Sequence, residues 1–317
     1  LILQIPGSGI SLAATEAIDS RLGPEFLISQ PTPGDQPERY QPVVAYNSTQ
    51  HEYLVIWKNQ RAYSFSELYA QRVSVTGQLL GGFDLTSDLS GDGKPRDAPA
   101  LAYNATNNEY MLVYVYEAAD EVDYDIRGRR IAWDGSWKGP EFEVFTWANR
   151  GFFKPRIAWN PYRNQYLVIA DAYDTVSHKY NDVAGRRVMA DGTTPFAGHN
   201  ISDQSQTLQP QGGDVTYNLA ADEYMVVWRQ NYSGEDWDIW GARVRGDNDA
   251  VVFPPGLFRI DDAATDQNHP AVATNTQDRY LVVWEQGWDL PATDWEIYGR
   301  ELDVAGSPAT VNSIAIA

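Results

Sequence analysis

The chain has 317 residues, 43% of them hydrophobic, 13% aromatic and 21% charged, enough to bury a core without covalent staples. It has no cysteine, which excludes disulfides, thiolate metal sites and thiol nucleophiles, and four scattered histidines give little material for a zinc site. Forty-three acidic against 24 basic side chains leave a formal charge of −19, which repels nucleic acid and anionic membranes, and no apolar run approaches the ~18 residues of a membrane-spanning helix.

Residues 1–22 read as an apolar arm carried by Leu1, Ile2, Leu3, Ile5, Ile10 and Leu12 and broken by Pro6, Gly7 and Gly9. The stretch is too short, and lacks preceding basic residues, for a signal peptide. Next, Gly23-Pro24-Glu25-Phe26 repeats Gly139-Pro140-Glu141-Phe142 residue for residue, and predicts a strand over 23–30. From Pro42 onward one unit recurs five times, over approximately 42–98, 99–154, 155–209, 210–269 and 270–317. Its turn asparagine stands at Asn47, Asn104, Asn160, Asn218 and Asn275, spaced by 57, 56, 58 and 57 residues. A tyrosine keeps step at Tyr53, Tyr110, Tyr166, Tyr224 and Tyr280.

Within a unit the apolar runs are short, rich in Val, Ile, Tyr and Trp, and bounded by Asn, Asp, Gly and Pro, which is the signature of strands. In the first unit they fall at 43–46, 53–57, 67–73 and 83–86. Four antiparallel strands at one period, with no helical stretch between them, predict an all-β fold: a five-bladed β-propeller over 23–317, with a six-bladed or strand-swapped ring as alternatives. The fourth strand recurs around Leu85, Val144, Ile201 and Ile260, and again at Ser313-Ile314-Ala315-Ile316. Counting 23–30, six fourth strands serve five blades, so one terminus closes the ring and the other is surplus. A surplus strand either lies on its own blade or adds to the sheet edge of another copy, and the second route builds head-to-tail filaments.

The third strands open with Glu67, Asp125, Asp182, Asp238 and Glu296 and carry Arg72, Arg130, Arg187, Arg243 and Arg300 further on. Acid–arginine pairing between neighbouring blades is the structural reading, because five equivalent carboxylates do not make the asymmetric set that catalysis needs. Trp57, Tyr114, Trp228 and Trp284 end the second strands and are expected to pack between blades. Tyr124, Trp237 and Trp295 follow an acid and precede another, an aromatic face flanked by carboxylates that suits a sugar ring. Asp88, Ser90, Asp92 and Asp97, with Gly93 between, have the spacing that opens a calcium loop, but Pro99 stands where the closing bidentate Glu belongs. Asp171 and Asp174 put two acids near the rim of the third unit, without a third group to complete an acid–base set.

Tyr280–Trp284 followed by Glu296–Val304, and Tyr224–Trp228 followed by Asp238–Gly246, resemble the repeat of secreted or surface-anchored β-propeller proteins of bacteria, over residues 23–317. The resemblance implies the fold and an extracellular or cell-surface setting, and carries no assigned chemistry. Five-bladed propellers also include tachylectin-like sugar binders and arabinanase-type glycosidases with three carboxylates in a central funnel. Their motifs are not found here: Val43, Ala100, Arg156 and Ala271 follow the first-strand prolines. The sequence therefore leads to a non-enzymatic structural or adhesive protein, polymerising head to tail through a terminal strand. Its partners are copies of itself, with no nucleic acid and no membrane insertion, and calcium is the one cofactor raised. A lectin-like glycan binder using Trp237, Trp295 and Tyr124 is the second reading, and a glycan-processing hydrolase the third.

Overall fold

The computed structural model describes residues 25–29, 38–62, 65–86, 93–119, 123–202, 209–231, 236–252, 256–287, 295–308 and 314–315. The chain divides into two units, Leu1–Asp35 and Gln36–Ala317. In the first unit Glu25–Ser29 carry no strand, and Phe26 and Leu27 are exposed. The apolar arm, Leu1, Ile2, Leu3, Ile5, Ile10 and Leu12, lies outside the described residues.

The second unit holds five four-stranded antiparallel sheets, each running outward in sequence order. The first comprises β1 (Glu38–Asn47), β2 (Glu52–Ala62), β3 (Phe65–Ser74) and β4 (Leu79–Asp84). The second comprises β5 (Arg96–Asn104), β6 (Glu109–Ala119), β7 (Asp123–Ala132) and β8 (Phe142–Phe145), and the third β9 (Arg150–Asn160), β10 (Gln165–Asp174), β11 (Lys179–Met189) and β12 (His199–Asn200). The fourth has β13 (Gln211–Asn218), β14 (Glu223–Asn231), β15 (Trp237–Arg245) and β16 (Leu257–Asp261), and the fifth β17 (Asp266–Thr274), β18 (Arg279–Gly287), β19 (Glu296–Asp303) and β20 (Ile314–Ala315). The C-terminal segment completes the fifth blade, with Ile314 opposite Gly299 and Ala315 opposite Tyr298. A fourth strand forms by pairing with a third strand, and β20 already holds that of the last blade.

Strand periodicity explains how the blades stack, since successive side chains point to opposite faces. Even positions of β2 (Leu54, Ile56) pack on Tyr110, Leu112 and Tyr114 of β6. The other face of β6 (Met111, Val113) meets Tyr166 and Val168 of β10. Leu167 and Ile169 meet Tyr224, Val226 and Trp228, and Met225 and Val227 meet Tyr280, Val282 and Trp284. Trp228, Trp284 and Tyr114 are fully buried, as the sequence predicts for an inter-blade layer. Each such side chain contributes about 1.5–3 kcal/mol by leaving water.

Two motif residues have local physical causes. The turn asparagine accepts N–H bonds from its own hairpin while its amide reaches the next blade: Asn47 Nδ2 donates to Asn108 Oδ1 at 3.1 Å, and Asn104 Nδ2 to Asn164 Oδ1 at 2.7 Å. The third-strand glycine makes room for the fourth strand. A Cβ on Gly128 would lie 2.4 Å from the Phe142 ring, and one on Gly185 2.5 Å from Ile201 Cδ1.

The acid–arginine pairs differ from expectation. Arg72, Arg130 and Arg243 bind Glu52, Glu109 and Glu223 on the second strand of their own blade, at 2.8, 2.8 and 2.7 Å. Arg187 pairs with Asp249 at 3.2 Å and Arg300 with Asp261 at 2.7 Å, both across blades but to other acids. In four blades the third-strand acid and the arginine are five residues apart, which puts them on opposite faces and about 16 Å apart along the strand.

Candidate functional site

The site begins with a backbone irregularity repeated in every blade. Gln41, Ala98, Lys154, Gly212 and His269 adopt φ of 53°, 45°, 49°, 68° and 49°. Each sits where the first strand loses register with the second, so each is a bulge with one left-handed residue. Proline follows in four of the five, and its missing N–H suits a break in the ladder. Left-handed geometry costs a non-glycine residue about 1–2 kcal/mol. The five bulges and the segments just after them line one central cavity of about 690 Å³.

The walls of this funnel are charged and asymmetric. Lys154 and Arg156 come from β9, Asp214 from β13 and His269 from β17. Lys154 Nζ lies 3.8 Å from Asp171, which is buried and accepts the Gly212 N–H at 2.8 Å. Burial pushes the Asp171 carboxyl up, against the pull of the Gly212 N–H and Lys154. Asp214 accepts the Val272 N–H at 2.9 Å and stands 4.0 Å from Arg156; burial pushes it up as well. His269 Nδ1 contacts Glu285 at 2.9 Å. Asp174 instead caps its own turn, accepting the Val176 and Ser177 N–H groups, which lower its pKa.

A side pocket of about 320 Å³ opens between blades two and three and shares Gln41, Ala98 and Lys154 with the funnel. Its apolar wall is Tyr124, Phe153 and Tyr180, and its polar groups are Asp97, Glu117, Gln41 and Lys154. Tyr124 and Phe153 have ring centroids 4.8 Å apart, and Tyr180 stands 6.2 Å from Phe153 and 5.3 Å from Tyr173. Asp97 is held in place by Lys58 at 2.6 Å. Aromatic faces beside fixed carboxylates, an amide and an ammonium fit a small polyhydroxylated ligand.

Of the sequence candidates, Tyr124 lies in this pocket. Trp237 and Trp295 stand at the same register on blades four and five and do not line it; Trp237 is covered by the Arg229 guanidinium at 4.3 Å. Asp125 faces a separate cleft of about 400 Å³ with Trp147 and Arg150, and burial, with Asp123 close by, pushes its carboxyl to about 6. Asp238 is likewise pushed to about 6 by burial, Asp182 accepts the Ser202 hydroxyl at 2.8 Å, Glu67 is buried and Glu296 is exposed. Of the calcium-loop residues, Asp88, Ser90 and Asp92 lie outside the described residues, and Asp97 belongs to the side pocket. Among the described residues no group of three or more His, Asp or Glu is placed to hold a metal ion. Phe153, Tyr180 and Lys154 escape sequence reasoning because they fall outside the repeated pattern; the proline after Lys154 is the one signal that marks its bulge.

No family model matches the chain, and no curated protein matches it. Among solved structures, it is similar to a Penicillium chrysogenum α-L-arabinanase complexed with arabinobiose, at 12% identity and a TM-score of 0.57, over 82% of this chain and 77% of that one. It is similar to Bacillus subtilis levansucrase at 8% identity and 0.52, over 92% and 91%, and to a thermostable family-43 glycoside hydrolase at 12% and 0.50, over 90% and 94%. It spans 54% of the length of a microbial sialidase that it also matches. At these identities the likeness concerns the fold: the chain has the five-bladed β-propeller architecture of family-43 glycoside hydrolases.

Proposed function

We propose that the protein is a non-enzymatic, glycan-binding β-propeller of an extracellular surface, with an adhesive or structural role. The observation that carries this reading is the side pocket, where Tyr124, Phe153 and Tyr180 form an aromatic wall beside Asp97, Glu117 and Lys154. A sugar ring has apolar C–H faces for the aromatics and equatorial hydroxyls for the charged groups. The negative charge of −19 suits an exposed surface, and the repeat resembles that of secreted and surface-anchored propellers. Asp214 in the funnel and the buried Asp171 beside Lys154 each accept backbone N–H groups and so already serve the architecture. That leaves no open carboxylate pair of the kind a glycosidase uses among the described funnel residues.

The test is titration with arabinobiose and a panel of neutral oligosaccharides, followed by tryptophan fluorescence and calorimetry. Binding is expected to weaken about tenfold in Tyr124→Ala and in Phe153→Ala, from the loss of one stacking face each. No binding across the panel, or affinities unchanged by either variant, refutes the site. Release of reducing sugar by the wild type, lost in Asp214→Asn, replaces this reading with hydrolysis.

A further inference from the structure

Four of the five third-strand acids are buried, and the blades treat them differently. Asp182 accepts the Ser202 hydroxyl at 2.8 Å, and the same oxygen takes the Val183 N–H; Thr86 takes the Leu68 N–H in the same way, next to Glu67. Asp238 has the Arg259 guanidinium at 3.5 Å. In the second blade Phe145 stands where the first has Thr86: Phe142-Glu143-Val144-Phe145 matches Phe83-Asp84-Leu85-Thr86. A phenyl ring has no hydroxyl to donate, and Phe145 goes into the core, stacked on Phe152 with centroids 4.9 Å apart. Asp125 is left 8% exposed, and no described residue gives its carboxylate a hydrogen bond or an ion pair.

The cleft that Asp125 faces holds a second group in the same condition. Arg150 stands opposite Asp174 in the β9–β10 ladder, but Asp174 is engaged by the Val176 and Ser177 N–H groups of its own turn. Arg150 Nη1 is buried without a hydrogen-bond partner. Both groups line the cleft of about 400 Å³, and they do not pair with each other. Trp147 lines it too, its indole held edge-on by Phe145 and Phe152 at 5.8 and 5.3 Å. The substitution that deprives Asp125 of a hydroxyl thus also seats the indole of the cleft. Two desolvated groups of opposite charge, kept apart in one cleft, are costly unless something else pairs with each.

We propose that this cleft binds a small zwitterion, an α-amino acid being the simplest, whose ammonium pairs with Asp125 and whose carboxylate pairs with Arg150. A neutral hydroxyl could hydrogen-bond to either group, but it would leave the charge of Asp125 unanswered. Burial and the repulsion of Asp123 and Glu143 outweigh the attraction of Arg127 and push that carboxyl to about 6, so a cation is what the position lacks. The Trp147 indole offers an apolar surface to the ligand's carbon atoms, and the volume lies within the range of about 300–1,000 Å³ of small-molecule sites. The cleft shares no lining residue with the side pocket, so this ligand is independent of the glycan proposed there.

Calorimetric titration of the full chain at about pH 7.5 with a panel of L-amino acids tests this, and the tightest binder is then compared with its N-acetyl derivative and its amide. The free amino acid should bind, and each derivative, lacking one of the two charges, should bind about tenfold more weakly or worse. That series uses the wild type alone, so it holds whatever a substitution does to folding. Asp125→Asn and Arg150→Met should each weaken binding by about tenfold or more. Lowering the pH to about 5 should weaken the wild type about tenfold, because Asp125 takes up its proton, and leave Asp125→Asn unchanged. No binding of any member of the panel up to about 10 mM, derivatives that bind as the amino acid does, or an affinity that neither variant changes each overturns the proposal.

Discussion

Replacing Asp238 by Asn should stabilise the propeller at pH 8 and leave it unchanged near pH 4. The side chain opens β15, is buried at 2% exposure, and its Oδ1 has no hydrogen-bond donor. Burial, then the repulsion of Asp236, Asp262 and Asp261, pushes its carboxyl to about 6, against the Arg259 guanidinium at 3.5 Å. In the unfolded chain the same group titrates near ~3.9, so between these values the folded state holds a proton that the unfolded state has released. The site is therefore neutral in its effect below pH ~4, costs progressively more as pH rises to about 6, and costs its full amount above. Two pH units correspond to ~3 kcal/mol at most, and partial solvation of the rim together with loss of the Arg259 attraction reduces the expected gain at pH 8 to ~1–2 kcal/mol. Thermal unfolding followed by tryptophan fluorescence should show a rise of about 2–4 °C at pH 8 and none at pH 4. Equal shifts at both pH values, or a loss of stability at pH 8, would mean that the carboxylate is ionised and well paired, and would refute the reasoning.

Other outcomes follow from packing. Gly185→Ala drives a methyl to within 2.5 Å of Ile201 and should cost about 1–3 kcal/mol in urea unfolding; a neutral result would show that the fourth strand yields. Asn104→Ala removes a buried amide that serves its own turn and the next blade, at about 1–3 kcal/mol, whereas Asn275→Ala, exposed at the last blade, should stay within about 0.5 kcal/mol. Equal costs for the two would contradict the difference in burial between them.

The architecture was legible because one period carries it: turn asparagines 56 to 58 residues apart and β-branched runs between them can be satisfied by few folds other than a ring of blades. Which terminus closes the ring was not, because 23–30 and the C-terminal segment carry the same local signal and pairing alone distinguishes them. The arginine pairing was misjudged by a matter of parity, since five residues along a strand reverse the face. In the fifth blade the pair is inverted, as Arg279 with Glu301, which is hidden in the sequence when Arg300, one position earlier, is matched to Arg243. Of the aromatic wall of the side pocket, Tyr124 alone was accessible. Phe153 lies one residue from a bulge whose position is set by backbone geometry, and Tyr180 is displaced by the register shift after Ala172.

The five left-handed bulges also divide each innermost strand into two separately adjustable halves. Beyond the bulge at Gln41, Ala98, Lys154, Gly212 or His269 the alternation restarts, so the register of the outer half is set by its own pairing with the second strand. Those positions already hold an amide, a methyl, an ammonium, a bare backbone and an imidazole around one axis, on a frame that is otherwise nearly the same five times over. For protein engineering this is a ring of five positions around one cavity, one per blade, at which the lining can be varied blade by blade.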